Sequence, residues 1–454
     1  MSRNRYPLAP LFGRILSPLE QFLQRATAGG IILIATTLLT IALSTCFGGA
    51  ALHHFWEQEV ALSAGTAFEL RLSLHHWVND GLMALFFLMV GLELKREILV
   101  GELASLRDAA LPIMAALGGM MVPALIYAAF NAGQPTMAGW GIPMATDIAF
   151  AIGILVLLGP RIPKSLIIFL MALAIADDLG AVLVIAVFYT QSLNPSALMA
   201  AGLILGFLIL LNRGGVRHPL PYALLGILLW YAVLASGIHA TIAGILLAFT
   251  IPAFSRFSPQ DFDARIEELH TAFRAQQGAR AGQESLGNPH MATIAAAMEA
   301  SAAHVQSPLL RIEHGITPWV TFLIIPVFAL SNAGIDLGSI RLGDLLEPVT
   351  TGVFFGLVLG KVLGISLFSR AAVRFGLARL PAGITWHHLT GAAWLGGIGF
   401  TMSLFISQLA FSNAMHIEQA KLGILLASAA AAATGLAWLL HATKNPPLMN
   451  EERK

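Results

Sequence analysis

Four ionisable side chains stand out deep inside long apolar stretches of this sequence. They are Asp147, Asp177, Asp178 and Lys361. An isolated charge is costly in a hydrocarbon environment, so such groups occur where they pair with one another or face a water-filled path. Carboxylates accept protons and hard cations, and a lysine can neutralise one of them. The four residues are therefore the first candidates for a site that binds small cations or protons.

The two adjacent aspartates belong to the string Leu173-Ala-Ile-Ala-Asp-Asp-Leu-Gly180. Asp178 follows Lys164 by 14 residues, which is about 20 Å of helix at 1.5 Å per residue. That depth is close to the middle of a bilayer. Successive helical residues point about 100° apart, so one carboxylate can face an ion path while the other meets a neighbouring helix.

Lys361 lies in the apolar string Gly356-Leu-Val-Leu-Gly-Lys-Val-Leu-Gly364. The nearer end of this stretch is roughly 12 Å away at helical rise. A lysine side chain that far inside cannot readily extend its amine to the membrane surface. We therefore expect Lys361 to face a carboxylate, which would keep it charged.

Helix-breaking residues precede Thr146 and Asp147 in the string Gly139-Trp-Gly-Ile-Pro143. This pattern predicts a broken helix, with a simple proline kink as the alternative. A second cluster, Gly396-Gly-Ile-Gly399, interrupts another apolar stretch. Backbone groups freed at membrane depth are tolerated only beside protein or water, so both breaks are predicted to border the site.

The composition indicates whether these residues belong to a soluble protein or to a membrane protein. Hydrophobic residues make up 57% of the 454 positions and charged residues 11%, whereas soluble domains carry about 25% charged residues. The single cysteine, Cys46, excludes a disulfide framework and a cysteine-based metal site. Runs of about 20 apolar residues are long enough to cross a bilayer. Twelve such runs, here called spans 1 to 12, cover residues 27–46, 77–94, 109–130, 135–159, 165–189, 195–212, 219–235, 237–254, 317–336, 345–369, 384–411 and 422–441.

The basic residues test this assignment, because cytoplasmic connections of membrane proteins are enriched in lysine and arginine. If the N-terminus is cytoplasmic, 22 of the 26 lysines and arginines fall on the inner side. Both termini are then inside, and the whole chain, 1–454, is predicted to be one membrane transporter domain. Its non-spanning parts are a cytoplasmic N-terminal segment 1–26, an outer connection 47–76 with a strand-like alternation over 68–74, a long cytoplasmic loop 255–316 and a cytoplasmic tail 442–454.

Two groups of spans are related by their direction. Spans 3, 4 and 5 run out, in and out, whereas spans 10, 11 and 12 run in, out and in. The middle span of each group contains a break. This is the pattern expected of an inverted repeat whose broken helices form a site near the bilayer midplane. The predicted fold is thus an all-α integral membrane protein of about twelve helices, with broken helices in spans 4 and 11.

The same residues resemble the NhaA family of sodium/proton antiporters, whose members are transporters with broken helices. The likeness extends from about residue 15 to 441. It rests on the strings Phe86-Phe-Leu-Met-Val-Gly-Leu-Glu-Leu-Lys-Arg-Glu97, Pro143-Met-Ala-Thr-Asp-Ile-Ala-Phe-Ala-Ile152, Phe169-Leu-Met-Ala-Leu-Ala-Ile-Ala-Asp-Asp-Leu-Gly180, Ile238-His-Ala-Thr-Ile-Ala-Gly244, Pro318-Trp-Val320, Ser331-Asn-Ala-Gly334, Gly360-Lys361 and Gly397-Ile-Gly-Phe-Thr-Met-Ser403.

The resemblance implies a role for each matched residue. Asp177 and Asp178 become the carriers of the transported Na⁺ and the protons, Lys361 becomes the partner of Asp177, and Thr146 and Asp147 line the crossing of the broken helices. It further implies a cytoplasmic mouth that responds to pH. The residues of this mouth are Glu93, Arg96, Glu97, Glu313 and His314; solvated charges at a helix end are the alternative interpretation. Histidine as a residue type changes charge near neutral pH, so His239 is a further candidate for the pH response; a helix-capping histidine is equally consistent.

The resemblance also implies cellular context. We expect a multi-pass protein of the bacterial cytoplasmic (inner) membrane, embedded in lipid, with both termini in the cytoplasm. A homodimer formed through the connection 47–76 is expected, with no nucleic-acid partner and no cofactor beyond the transported Na⁺ or Li⁺ and H⁺. The stretch 255–306 looks longer than the usual connection of the family.

The expected activity is electrogenic exchange of sodium or lithium for protons, in the service of pH and sodium homeostasis. Proton and Na⁺ would compete for the same carboxylate oxygens, so that loading one expels the other. A sodium-coupled symporter of an organic anion is the alternative on a related fold. Two enzyme classes are disfavoured. A membrane prenyltransferase would need a second acidic cluster, and an intramembrane aspartyl protease would need a Gly-x-Gly-Asp string; the sequence contains neither.

Overall fold

A computed structural model describes residues 28–64, 68–190, 193–255, 258–279, 289–338 and 340–444. The predicted N-terminal segment 1–26 and most of the tail 442–454 lie outside these ranges. The α-helices are Ala28–Phe47, Gly49–Trp56, Leu74–His76, Met83–Val100, Leu106–Asn131, Ile148–Leu157, Lys164–Phe188, Pro195–Arg213, Pro219–Ala235, Ile242–Thr250, Pro259–Ala279, Pro289–Val305, Pro308–Trp319, Ile325–Asn332, Pro348–Phe355, Lys361–Arg374, Trp386–Leu395, Phe400–Ala410 and Ala414–Lys444. The 3₁₀ segments are Pro135–Met144, Gly159–Arg161 and Leu342–Leu346, and the π-helical segments are Trp77–Leu82, Val320–Ile324 and Gly356–Gly360.

Each of the twelve predicted spans coincides with helical structure. Within the described residues, eight helices are long and apolar enough to cross a membrane, and a ninth candidate is the bent pair of helices in span 11. Spans 2, 7 and 8 contain helices that are shorter or more polar, namely Met83–Val100, Pro219–Ala235 and Ile242–Thr250. The prediction of an all-α membrane protein with a broken span is confirmed.

Several helices extend beyond the apolar runs that predicted them. The helix of span 12 begins at Ala414 rather than near residue 422, and the helical region of span 9 begins at Pro308 rather than near residue 317. An apolar run ends at the first charged residue, whereas helical hydrogen bonding continues into the membrane interface, where water can solvate the charge. Apolar length therefore underestimates helix length at these ends.

The chain divides into two compact units. The first contains Met1–Phe86, Glu97–Gln191 and Val320–Lys454, and the second contains Phe87–Arg96 and Ser192–Trp319. The core of the second unit is formed by side chains of spans 6, 7 and 8, with Leu208, Leu229 and Leu247 among its buried members. Its lysine Lys95 donates hydrogen bonds to the carbonyl groups of Phe249 and Ile251, which lie at the C-terminal end of the helix Ile242–Thr250.

Two antiparallel strands occupy the connection between spans 1 and 2. β1 (Glu59–Ala64) pairs with β2 (Phe68–Ser73), with Glu59 opposite Ser73 and Ala64 opposite Phe68. The alternation of apolar and polar residues over 68–74 predicted a strand, and this prediction is confirmed. The long connection between spans 8 and 9, predicted to be cytoplasmic, is less irregular than its composition suggests, because residues 259–279 and 289–305 form two helices.

Spans 3 and 10, equivalent members of the two repeats, approach one another through glycine. A Cβ atom added to Gly364 would overlap the carbonyl group of Gly118, and one added to Gly118 would overlap the carbonyl group of Gly364. A Cβ on Gly360 would lie 2.7 Å from Cα of Pro123. Small residues of this kind allow the backbones of membrane helices to pack in direct contact.

We predict that Gly364→Ala lowers stability by about 1–3 kcal/mol, the usual cost of overpacking a well-filled interior. The obstructing atoms belong to the backbone of Gly118 and cannot turn aside as a flexible side chain could. The matched control is Gly206→Ala, where an added Cβ meets no atom within 4 Å and helix propensity favours alanine by up to about 1 kcal/mol. Thermal unfolding of both variants in detergent is the measurement; equal melting temperatures would contradict the glycine contact.

Candidate functional site

The break in span 4 presents the side chain of Asp147 at the start of a half-helix. The 3₁₀ segment Pro135–Met144 ends in extended backbone, and the α-helix resumes at Ile148. Pro143 lacks the N–H that a continuous helix would use. Asp147 is the N-cap of the helix Ile148–Leu157, and its Oδ1 accepts a hydrogen bond of 3.0 Å from the amide of Phe150.

The other oxygen of Asp147 crosses to span 11. Oδ2 accepts hydrogen bonds from the amide of Thr401, at 3.1 Å, and from the Thr401 hydroxyl, at 2.6 Å. The amide of Asp147 in turn donates to the carbonyl of Ile398 at 2.7 Å. One carboxylate thus contacts the N-terminal ends of two half-helices, Ile148–Leu157 and Phe400–Ala410. Helix N-termini carry partial positive charge, which a carboxylate offsets.

Span 11 provides the matching break. The helices Trp386–Leu395 and Phe400–Ala410 meet at an angle of 47°, and Gly396, Gly397 and Gly399 lie between them or cap them. A Cβ on Gly397 would lie 2.6 Å from the carbonyl oxygen of Leu357 in span 10. Glycine at this position therefore lets the broken segment lie directly against the helix that carries Lys361.

Lys361 is completely buried, and its ammonium group meets three acceptors. Nζ donates to Oδ2 of Asp177, to the carbonyl of Met144, and to Oγ1 of Thr146 at 3.1 Å. An ammonium has three N–H groups, so every donor has a partner. Met144 ends the 3₁₀ segment, so its carbonyl lies at the negative end of that half-helix. The predicted contact between Lys361 and Asp177 is present as an ion pair.

Thr146 connects this ion pair to span 11. Its hydroxyl lies 2.8 Å from Oδ2 of Asp177 and 2.8 Å from the carbonyl oxygen of Gly396. A hydroxyl has one hydrogen to donate, so it can serve only one of these acceptors at a time. Thr146 can therefore donate either to the carboxylate of span 5 or to the backbone of span 11.

Asp177 and Asp178 are both 1% exposed. Oδ1 of Asp177 has no hydrogen-bond partner among the described residues, which leaves an acceptor for a proton or a cation. Asp178 lies within electrostatic range of Lys361. The structure thus brings Thr146, Asp177, Asp178 and Lys361 into one buried cluster, with Asp147 bonded across the neighbouring crossing.

A π-helical segment, Gly356–Gly360, immediately precedes Lys361. Such segments add a residue to one turn and often occur at functional sites. The apolar sequence gave no indication of it. The extra residue changes the direction in which the following helix, Lys361–Arg374, presents its first side chain.

Sequence reasoning did not assign four other residues that support the site. Thr401 holds Asp147, and the Ser403 hydroxyl donates to the carbonyl of Ile142 at 2.8 Å. Tyr127 and Tyr189 donate to carbonyls within the 3₁₀ segment, those of Thr136 and Ala138, each at 2.8 Å. Thr401 and Ser403 belong to the motif after the second break and could have been suspected from it. The tyrosines carried no comparable signal.

The residues predicted to form a cytoplasmic mouth are only partly brought together. In the second unit, Arg96 forms an ion pair with Glu313, and its Nη2 lies 3.8 Å from Oε1 of Glu93. His314 is exposed in that unit. Glu97 falls in the first unit, where its carboxylate accepts a hydrogen bond of 3.1 Å from the amide of Glu102. His239 lies in the turn that precedes the helix Ile242–Thr250.

Comparison with known proteins gives consistent matches over nearly the whole chain. Residues 20–439 match the sequence model of the family described as Na⁺/H⁺ antiporter 1. The Na⁺/H⁺ antiporter NhaA of Syntrophobacter fumaroxidans is 59% identical over 439 residues, which cover 96% of this chain and 93% of the relative. The Na⁺/H⁺ antiporter NhaA of Acidithiobacillus ferrooxidans is 59% identical over 430 residues, with coverage of 95% and 98%. The Na⁺/H⁺ antiporter NhaA 1 of Saccharophagus degradans is 49% identical over 431 residues, with coverage of 94% and 92%.

We predict that Lys361→Ala destabilises the protein by about 3–5 kcal/mol, because it leaves a buried carboxylate without its counter-charge. The double variant Lys361→Ala/Asp177→Asn should recover part of that loss, since it also removes the uncompensated charge. Thermal unfolding in detergent measures both, with Lys164→Ala at an exposed helix end as the control. A Lys361→Ala protein that melts like the wild type would show that the pair does not stabilise the fold.

Proposed function

The chain belongs to the Na⁺/H⁺ antiporter 1 family, and we propose that it exchanges Na⁺ for protons at the buried cluster of Thr146, Asp177, Asp178 and Lys361. The observation that carries this proposal is the ion pair of Lys361 with Asp177, completely buried beside a second carboxylate. One lysine cannot neutralise two carboxylates. The remaining negative charge requires either a proton or a cation, and the two ligands are mutually exclusive.

The exchange step follows from competition for the same oxygens. Na⁺ is a hard cation and prefers carboxylate, hydroxyl and carbonyl oxygen. Asp178 and the second oxygen of Asp177 supply carboxylate ligands, and backbone carbonyls at the breaks add neutral ones. A proton that arrives on these oxygens removes the charge that holds Na⁺, and Na⁺ that arrives displaces the proton. No cofactor takes part, and no covalent chemistry of the enzyme kind is needed.

Thr146 can couple the occupancy of the site to the arrangement of the broken helices. When Asp177 is charged, the Thr146 hydroxyl donates to it. When a proton or Na⁺ neutralises Asp177, the hydroxyl donates to the carbonyl of Gly396 instead. The hydrogen bond thereby moves from span 5 to span 11 as the ligand changes. A ligand shifts a conformational equilibrium only if the two conformations differ in their contacts when it is bound. The moving hydrogen bond of Thr146 is such a difference.

Asp147 is a positioning residue in this scheme. Its carboxylate holds the N-termini of two half-helices that would otherwise repel one another in a medium of low dielectric constant. Lys361 has the corresponding role at the carbonyl end of the 3₁₀ segment. The breaks therefore remain polar at membrane depth without exposing free backbone groups to lipid.

Two carboxylates can together release more than one proton when Na⁺ binds, and we propose on this ground that the exchange is electrogenic. Li⁺ shares the hardness of Na⁺ and is the expected second substrate. The transport serves sodium and pH homeostasis. The charge pattern supports placement in the bacterial cytoplasmic (inner) membrane with both termini in the cytoplasm. The β-hairpin of the outer connection presents free strand edges, which suit pairing with a second copy in a homodimer.

The charged groups near the inner end of span 2 are the proposed pH-responsive region. Arg96 and Glu313 pair in the second unit, with Glu93 nearby. Protonation of Glu313 would remove the charge that holds Arg96. Glu97 and His314 are proposed to contribute charge to the same response. The support for these two residues is the sequence resemblance.

We predict that Asp178→Asn abolishes cation-dependent proton movement, because an amide carries neither the negative charge that binds Na⁺ nor the transported proton. Everted vesicles with an imposed pH gradient give the measurement: addition of Na⁺ or Li⁺ alone should collapse the gradient for the wild type and leave it intact for the variant. Asp263→Asn, the same change at an exposed position of the helix Pro259–Ala279, is the control. Normal exchange by a stably inserted Asp178→Asn protein would refute the site. A symporter would need an organic anion as well.

We further predict that Na⁺ binding releases protons and that lowering the pH raises the apparent Kd for Na⁺. Both follow by linkage when one set of oxygens binds either ligand. Calorimetry of the purified protein in buffers with different ionisation enthalpies measures the number of protons released. If Na⁺ binds without proton release in protein that still exchanges in vesicles, the cation and proton sites are separate and the shared-site mechanism is wrong.

A further inference from the structure

A cluster of arginines surrounds the inner end of span 10. Arg370 and Arg374 lie one turn apart on the helix Lys361–Arg374, and Arg379 follows in the next loop. We call these three residues the arginine patch. All three are exposed. From residue 348 to residue 417 the sequence contains no aspartate or glutamate, so no carboxylate of this region can balance the patch.

The positive charge of the patch exceeds what the local structure needs. A helix C-terminus carries about half a negative charge, whereas the patch carries three positive charges. Among the described residues, none of the three arginines forms an ion pair with a carboxylate. Two arginines elsewhere do have partners: Arg96 pairs with Glu313, and Arg217 donates to the carbonyl of Phe254. The patch therefore has charge to spare for an anion.

The geometry of the patch is well defined. The helix ends in a Schellman motif, in which Leu377 N donates to the carbonyl of Ala372 at 2.9 Å and Gly376 N to that of Val373 at 3.1 Å. Gly376 adopts the positive φ of 72° that this motif requires. The chain that leads to Arg379 is thus folded back against the helix. An anion here would meet arginines fixed by the backbone rather than the end of a free tail.

Arg370 is further oriented by an aromatic ring. Its Cζ lies 5.7 Å from the ring centroid of Trp386. A guanidinium held over an aromatic ring by a cation–π contact still has N–H groups to donate to a phosphate. Trp438 donates through Nε1 to the carbonyl of His387 at 3.0 Å and is 40% exposed. Tryptophans with one polar and one apolar side are typical of the membrane interface.

Exposed apolar side chains lie within the same turn as the arginines. Phe375 is 76% exposed and Leu377 is 58% exposed. A soluble anion would gain nothing from them, whereas a phospholipid would bring acyl chains beside its phosphate. The N-terminal end of span 5 adds further positive charge, since the Ser165 hydroxyl donates to the carbonyl of Ala382 at 3.0 Å and brings Lys164 near this loop.

We propose that the arginine patch, with Trp386 and Trp438, is a binding site for the headgroup of an anionic phospholipid in the inner leaflet. This rests on the orientation proposed above, in which these helix ends are cytoplasmic. Basic sites between transmembrane helices on that side suit anionic headgroups, and arginine binds phosphate through paired N–H groups. The two helices joined at this site, those of spans 5 and 10, also carry Asp177 and Lys361. A bound lipid would therefore hold together the two helices that form the buried ion pair.

The test compares lipids on the purified full-length protein in an uncharged detergent. The probes are palmitoyl-oleoyl phosphatidylglycerol, phosphatidylcholine with the same chains, and inorganic phosphate. Phosphatidylglycerol should raise the melting temperature of the wild type, and the triple variant Arg370→Gln/Arg374→Gln/Arg379→Gln should lose most of that shift. The control is Arg265→Gln/Arg274→Gln, which removes two exposed arginines of the helix Pro259–Ala279 and should retain it.

Several results would overturn the proposal: an unchanged shift in the triple variant, an equal shift with phosphatidylcholine, or an equal shift with inorganic phosphate, which would identify a free anion as the ligand. If the triple variant does not fold, Arg379→Gln alone and the charge-conserving triple lysine variant take its place, and both should show a reduced shift. Sodium-dependent exchange of the wild type in liposomes that contain phosphatidylglycerol tests the transport function separately. Absence of exchange there would refute the transport function, whereas absence of the lipid-dependent shift would refute only this site.

Discussion

The burial of Lys361 against Asp177 constrains every element around it. A completely buried ammonium must find an acceptor for each of its N–H groups, and here these are one carboxylate oxygen, one hydroxyl and one backbone carbonyl. The carbonyl is available because span 4 stops being helical at Met144. The ion pair therefore depends on the helix break, and the break depends on the ion pair to neutralise its carbonyl end. Neither could persist in hydrocarbon alone.

The charges are reversed where span 4 meets the break in span 11: there a carboxylate faces helix N-termini. Asp147 receives amide hydrogen bonds from Phe150 in its own half-helix and from Thr401 in the other. Half-helix N-termini thus meet a carboxylate, and a half-helix carbonyl end meets an ammonium. Glycine makes this possible, because Gly397 and Gly364 allow backbones to lie closer than any side chain would permit. Both glycines lie in the second of the two related repeats, and Gly364 packs directly against Gly118 of the first.

A site built in this way is suited to exchange rather than to permanent binding. Thr146 has a single hydrogen and two acceptors at equal distance, and one oxygen of Asp177 has no hydrogen-bond partner within the described residues. The cluster is thus saturated around Lys361 and incomplete at Asp177. Small ligands such as H⁺ and Na⁺ can complete it in turn, while the lysine and the helix ends keep the surrounding structure in place.

The sequence by itself determined that the chain is embedded in lipid, where its membrane spans lie, which four ionisable residues lie deep inside them, and where spans 4 and 11 break. These are local properties: apolar length, the absence of charge, and proline or glycine in a helical run act within a few residues of themselves. Tertiary structure alone decided that span 4 begins as a 3₁₀ segment, that a π-helical segment precedes Lys361, and that Glu97 falls in a different unit from Glu313. It also decided that Thr401 bonds Asp147, 254 residues away in the chain. Such contacts depend on how the helices cross. The crossing is selected by the need of buried polar atoms for hydrogen-bond partners, and the periodicity of neither segment reveals which partners those are.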